Sequence, residues 1–233
     1  MITLYQFTTI PEKPDISPFT TKVEMFLKYY KIPYIIKRGN AARMPKKKLP
    51  CIQDGDKLFC DSEHIINYFK SIHKVNPDCH LSKYELAQSL AFKKMAEEYL
   101  YFILLFSRWI DESGWKFMNE KVFGHLPFMV KKFLPKQLRR QVAKSLYVQG
   151  IGRHAPVEIY AFGRECLENL SIYLNDKTYF MGEKISSLDF SLFPLLWNIG
   201  MTGIRTPLTD LMLSYPNLID YCKRVGPEFN YKI

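Results

Sequence analysis

Short apolar runs and polar turns alternate over the first sixty residues, and the period of that alternation changes along the way. Ile2–Thr8 has the apolar/polar mixture of a strand. A polar, proline-bearing stretch, Thr9 to Asp15, reads as a loop. From Pro18 to about Tyr30 the spacing turns helical, with Lys22, Phe26 and Tyr29/Tyr30 recurring along one side. Ser17 suits the cap of that helix, and Pro18 suits its first position, where a missing N–H costs nothing. A turn at Lys31-Ile32-Pro33 leads to a short strand, Tyr34–Lys37, and then to a basic, irregular connection, Ala41 to Lys48. Leu49–Gln53 and Lys57–Cys60 read as two strands around Asp54-Gly55, a dipeptide suited to a tight hairpin turn. Asp61 or Ser62 then starts a helix that runs to about Ile72. The order is β-α-β followed by β-β-α. The first half needs a crossover and hence a parallel pair; the second is an antiparallel hairpin.

Beyond a linker at Asn76-Pro77-Asp78 the period is helical throughout. Ser82 to Glu85 forms a capping box that opens a long helix to about Asp111. Gly114 to Pro135 holds one or two short helices, and Lys136–Gln149 is a helix ended by Gly150 and Gly152. Pro156–Leu174 is a longer one. Ser186-Ser187-Leu188-Asp189 is a second capping box, with Ile185 and Phe190 at the positions of a hydrophobic staple. Pro194 should kink or shorten the helix that follows. Pro216 opens a last helix to about Val225. The expected fold is therefore α/β plus all-α: a mixed domain over residues 1–76 and an all-helical domain over residues 82–233.

Composition excludes a disordered chain, since 47% of residues are hydrophobic and 15% aromatic. The longest uncharged apolar run, Tyr99 to Phe106, is far short of a membrane span, and the chain opens on a strand pattern without a signal peptide, so a cytoplasmic setting is expected. A net charge of +10 favours anionic partners. The cations cluster twice, at Lys37, Arg38, Arg43, Lys46, Lys47 and Lys48, and at Lys131, Lys132, Lys136, Arg139, Arg140 and Lys144. The first cluster has no interleaved aromatics and no base-reading motif, so no nucleic acid is expected. The second lies on a helix whose other side, Leu138, Val142 and Leu146, reads as ordinary core; a solvated face is the main reading and a membrane surface a minor one. The five cysteines are odd in number and form no C-x-x-C, which argues for reduced thiols and against a disulfide framework or a zinc site. No metal is expected.

Candidate chemistry gathers at helix starts. A strand feeding the N-terminus of a helix places free N–H groups and the positive dipole end where an anion can sit, and Ser17 adds a hydroxyl there. Ser17 reads equally well as a simple cap. Leu49-Pro50 precedes a strand; in the cis form Pro50 would turn the backbone of Leu49 outward toward that helix start. Asp61 and Ser62 offer a carboxylate and a hydroxyl at the next helix start, suited to an amino-acid-like end, though both also suit capping. Gly150-Ile151-Gly152-Arg153-His154-Ala155 matches a dinucleotide fingerprint only in letters, because no strand precedes it. Arg153 and His154 read chiefly as a surface loop.

The order S-P-F-T at the first helix, L-P before the hairpin and D-S at the next helix resembles the thioredoxin-like half of a glutathione transferase, and the late S-S-L-D box resembles that superfamily's helical half. The runs I-S-P-F-T-T-K-V-E-M-F-L, M-P-K-K-K-L-P-C-I, D-S-E-H-I-I-N-Y-F, E-E-Y-L-Y and Q-G-I-G-R-H are similar to the failed axon connections branch, related to metaxins. That branch usually carries S-P-F-C; Thr20 stands here in place of the cysteine and removes the thiol that a Cys-based transfer would use. The resemblance implies glutathione as co-substrate, with Ser17 holding its sulfur as thiolate, Leu49 ahead of a cis Pro50 pairing with the cysteinyl part, and Asp61 and Ser62 holding the γ-glutamyl end. It implies a small hydrophobic electrophile between the two halves, a homodimer, and serine-type transferase activity. Tyr5, by analogy with tyrosine-type transferases, and Thr20 are further candidates; Arg153 and His154 belong to the branch's own motif without an assigned role. The alternative that the same resemblance carries is a metaxin-like, non-catalytic interaction or membrane-surface protein.

Overall fold

The computed structural model describes residues 1–8, 12–124 and 126–232. The part of the expected loop that falls on Thr9, Ile10 and Pro11 lies outside the described residues. In chain order the elements are β1 (Ile2–Gln6), α1 (Pro18–Tyr29), β2 (Tyr34–Arg38), β3 (Cys51–Asp54), β4 (Lys57–Cys60), α2 (Ser62–His73), α3 (Lys83–Met95), α4 (Tyr101–Trp109), α5 (Glu112–Phe117), α6 (Phe128–Gln149), α7 (Pro156–Leu174), α8 (Ser187–Gly200), α9 (Pro207–Leu213) and α10 (Pro216–Glu228). The chain divides into two compact units. One comprises Met1–Lys93, Asp176–Asn198 and Asp220–Ile233; the other comprises Lys94–Asn175 and Ile199–Ile219.

The first unit is built on a four-stranded sheet in the order β2-β1-β3-β4. Strand β1 pairs in parallel with β2, Ile2 opposite Tyr34, and antiparallel with β3, Leu4 opposite Ile52. Strands β3 and β4 form the expected hairpin, turned at Gly55, whose φ of +57° suits glycine. Leu4 and Ile52 of the sheet, Val23, Met25, Phe26 and Leu27 of α1, and Ile65 and Phe69 of α2 are all fully buried. The Phe26 ring lies 6.4 Å from that of Phe69 and 5.9 Å, edge-on, from that of Phe190 on α8. The expected capping box is present at α8: Asp189 accepts from the N–H and hydroxyl of Ser186, from the N–H of Phe180 and from the Tyr221 hydroxyl. Helix α8 continues past Pro194 to Gly200 rather than stopping there, because residues 188–199 are buried almost without a break. That burial outweighs a local proline penalty of about 3 kcal/mol.

One expectation is corrected in this unit. Cys51 and Cys60 are not reduced thiols; they form a disulfide across the hairpin. The register places the two residues directly opposite, with Cα atoms 4.2 Å apart. Counting cysteines could not reveal a pairing that depends on strand register. Cys79, Cys166 and Cys222 are free.

In the second unit, α4 and α7 bury Ile103, Leu104, Ile159, Leu167 and Leu170, and α9 adds Leu208 and Met212. Ser107 donates to Thr206 at 2.7 Å, and Tyr160 to Asp111 at 2.7 Å. Helix α6 begins at Phe128, two turns before the expected start at Lys136, and carries Pro135 inside it. No helix among the described residues is long and apolar enough to cross a membrane.

Candidate functional site

The β1–α1–β2 crossover carries the chain from the C-terminal end of β1 to the first turn of α1. The antiparallel pairing brings the start of β3 to that same end of the sheet, since Tyr5 lies opposite Cys51. The start of α2 arrives there as well. The Asp61 N–H donates to the Pro50 carbonyl at 3.3 Å, and Lys22 on α1 bonds Glu63 on α2 at 2.9 Å. Ser17, Leu49-Pro50 and Asp61-Ser62 therefore lie at one end of one sheet.

Ser17 is the N-cap residue of α1 by position, yet its side chain makes no capping hydrogen bond. Its carbonyl accepts from the N–H groups of Thr20 and Thr21. Its own N–H donates to Asp15 Oδ1 at 2.8 Å, and the second Asp15 oxygen accepts from the N–H and hydroxyl of Thr8. Asp15 is buried, and burial pushes its carboxyl up to about 6 in spite of these hydrogen bonds, which pull the other way. The half-buried Ser17 hydroxyl has no hydrogen-bond partner among the described residues. Asp15 fixes the backbone on which that hydroxyl stands.

The Leu49–Pro50 bond is cis. The Leu49 side chain is buried with Cys51 and Cys60 against Tyr5, Ala41 and Met44. Its backbone N–H and C=O have no hydrogen-bond partner among the described residues. Asp61 caps α2, accepting from the N–H groups of Glu63 and His64. It does so with φ at +93°, a backbone region that side chains other than glycine seldom occupy. Ser62 is buried, and its hydroxyl makes no hydrogen bond among the described residues. Around them Glu63 bridges Lys22 and Lys93, at 2.9 and 3.1 Å. Burial alone would raise the Glu63 carboxyl; the two lysines outweigh it and hold it down to about 2. Lys46, from the first basic cluster, meets His64 Nδ1 at 3.1 Å.

The other candidates stand differently. The Tyr5 hydroxyl donates to Gln53 Oε1 at 2.8 Å. Thr20 is fully buried, and its hydroxyl has no hydrogen-bond partner among the described residues. Arg153 and His154 belong to the second unit, at the corner between α6 and α7. Arg153 donates to the Tyr147 carbonyl and lies 4.9 Å over the Tyr147 ring; His154 packs edge-on to Phe162. Gly152 serves that corner, because a Cβ there would come within 2.9 Å of the Leu146 and Tyr147 backbone. Asp15 and Glu63 are not among the candidates read from the sequence, and Lys22 figures there only in the spacing of the helix. Asp15 stands two residues before the cap, which is the only local signal; the lysine–carboxylate bridge joins residues distant in sequence.

Two family models match the chain: the glutathione S-transferase N-terminal domain over residues 18–114, and the glutathione S-transferase C-terminal domain over residues 163–225. An isoprene-epoxide–glutathione S-transferase from Rhodococcus is 32% identical over 99% of this chain and 100% of its own. The chain belongs to the glutathione S-transferase family. Within it, the failed axon connections protein of Drosophila melanogaster is 30% identical over 97% of this chain and 57% of its own. Mouse metaxin-1 is 31% identical over 82% and 63%. The fold agrees with that of a human glutathione-S-transferase in its apo form, with a TM-score of 0.62 at 20% identity over 98% of this chain and 84% of the other. The transferase family uses glutathione as co-substrate, and the four-stranded sheet with its helices is the thioredoxin-like part of this member. No cluster of three or more residues able to hold a metal occurs among the described residues.

Proposed function

We propose that this chain binds glutathione and transfers its thiolate to a small apolar electrophile, with Ser17 donating a hydrogen bond to the sulfur. The observation that carries this reading is the Ser17 hydroxyl. It stands at the start of α1, half-buried, and the helix does not use it as a cap. A free thiol has a pKa near about 8.5, and a helix N-terminus together with a hydroxyl donor can lower it by one unit or more. Each unit corresponds to about 1.4 kcal/mol of preference for the thiolate. The N–H and C=O of Leu49, which no described residue pairs, would pair with the cysteinyl segment, as one strand pairs with another. Ser62, with the Lys22–Glu63–Lys93 bridge beside it, would receive the end that carries both charges. A homodimer, implied by the resemblance, and a cytoplasmic setting, expected from the sequence pattern, belong to this proposal.

The name of the Rhodococcus relative makes a small aliphatic epoxide the first electrophile to try. Calorimetric titration with glutathione should give saturable one-site binding at millimolar affinity or tighter. Ser17→Ala should retain that binding and lose about ten- to a hundredfold in kcat/KM, the range expected for a hydrogen bond to a charged group. Absence of glutathione binding would remove the transferase reading and leave an interaction module on a transferase fold. Binding with an unchanged rate in Ser17→Ala would remove Ser17 from the chemistry.

A further inference from the structure

We infer that the first half of α6 is a docking surface for an anionic phospholipid bilayer. Helix α6 carries Lys131, Lys132, Lys136, Arg139, Arg140 and Lys144 and no acidic residue. Arg139 is committed to its own unit: it donates to the carbonyls of Trp109 and Ile110 and to Glu112, and stacks 4.8 Å over Trp115. The other five form no ion pair among the described residues. On the same two opening turns, Phe128 is 78% exposed, Met129 64% and Phe133 61%, and Val130 and Leu134 are exposed as well. Two helical turns meant only for water would not carry five large exposed apolar side chains, since each keeps hydrocarbon in contact with solvent.

The spacing sets apolar side chains beside and at the head of a row of cations, Phe128 standing four residues before Lys132. Met129 and Phe133 are four apart, on one ridge of the helix; Lys132, Lys136, Arg140 and Lys144 follow at the same interval on the next. Apolar tips therefore lead, and a row of long cations flanks and trails them. This pattern lets a helix seat its apolar side chains at the acyl boundary while lysine and arginine reach the headgroup phosphates. Beside it lies a hollow of about 880 Å³, whose lining of Ile110, Trp115, Phe128, Lys132, Lys136 and Arg140 repeats the combination. Charge selects the occupant. A second copy would oppose five unpaired cations to five more. A purely polyanionic partner would leave Phe128, Met129 and Phe133 unused. A bilayer bearing anionic lipid answers both.

The test is sedimentation of the purified full chain with vesicles at 150 mM salt, using phosphatidylcholine alone or with three parts in ten of phosphatidylserine. The anionic vesicles should bind at least tenfold more tightly than the neutral ones. Met129→Ser with Phe133→Ser should lose about tenfold, and Lys136→Glu with Arg140→Glu a similar factor. All four sites are solvent-facing, so circular dichroism of the variants should match the parent. Equal partition into both vesicle types overturns the proposal. So does a loss confined to the charge-reversal variant, which would indicate a plain polyanion surface, and so does binding to soluble polyglutamate without binding to vesicles, which would indicate an acidic protein.

Discussion

Two roles compete for Ser17, and stability separates them. A serine that caps a helix contributes about 1 kcal/mol, lost on substitution by alanine. The Ser17 hydroxyl makes no such bond. Ser17→Ala should therefore shift the urea midpoint by less than the equivalent of about 0.3 kcal/mol while its conjugation rate falls; a loss near 1 kcal/mol would return Ser17 to the caps. Asp15 gives the second prediction at this scale. Its carboxyl sits at about 6 in the folded chain, against an ordinary 3.8, because burial disfavours the charge. The folded state thus holds this proton more tightly than the unfolded one. The stability contributed is fully present below about pH 3.8 and is lost as the pH rises through 6, a change of about 3 kcal/mol. Asp15→Asn should flatten the stability profile between pH 4.5 and 6.5 relative to the parent, measured by urea unfolding at each pH. Parallel profiles for the two proteins would place the Asp15 carboxyl back in the ordinary range.

Helix α2 and the β3–β4 hairpin meet at Cys60-Asp61, and each makes a distinct prediction. Asp61 caps α2 at a backbone angle that suits glycine. Asp61→Ala loses the cap and keeps the strain, so it should cost about 1–2 kcal/mol; Asp61→Gly loses the cap and relieves the strain, so it should cost only a few tenths. Urea unfolding of both variants checks the order, and alanine proving the milder change would refute the strained cap. The Cys51–Cys60 bond closes a short loop. Reducing it should lower stability by about 2–3 kcal/mol, and thiol titration of the unfolded, unreduced chain should count the three free cysteines. Five reactive thiols would show that the hairpin is uncrosslinked. These two elements also mark the limit of what the sequence disclosed. The hairpin was legible from Asp54-Gly55 and the α8 cap from Ser186 and Asp189, because turn and cap chemistry is local. The disulfide, the early start of α6 and the Lys22–Glu63–Lys93 bridge were not. Each is decided by register or by packing between residues distant in sequence, which no window on the chain contains. Pro135 reads as a helix breaker on its own, and only its buried place in the folded chain makes it a helix interior.

At the scale of the molecule, the short motifs gained meaning from their order. S-P-F-T, L-P and D-S are each common, but a crossover followed by a hairpin brings all three to one end of the same sheet. The surplus of positive charge acts over longer distances than any of them. A net +10 attracts glutathione, which is an anion at neutral pH, and screening cancels that attraction once the Debye length falls below the distance to the outlying cations. Between 0.01 M and 1 M salt that length drops from about 30 Å to about 3 Å. Under the proposed function, kcat/KM for glutathione should fall about tenfold across this range while kcat holds nearly constant, since salt weakens the approach and leaves the short hydrogen bonds at Ser17 and Leu49 intact. Steady-state rates with glutathione varied at a saturating, uncharged epoxide measure both quantities. A flat kcat/KM would mean that the cations of α6, remote in sequence from the sheet end, contribute nothing to drawing in the small anion. Their charge would then act on a different partner, and the vesicle measurement would bear on all of it.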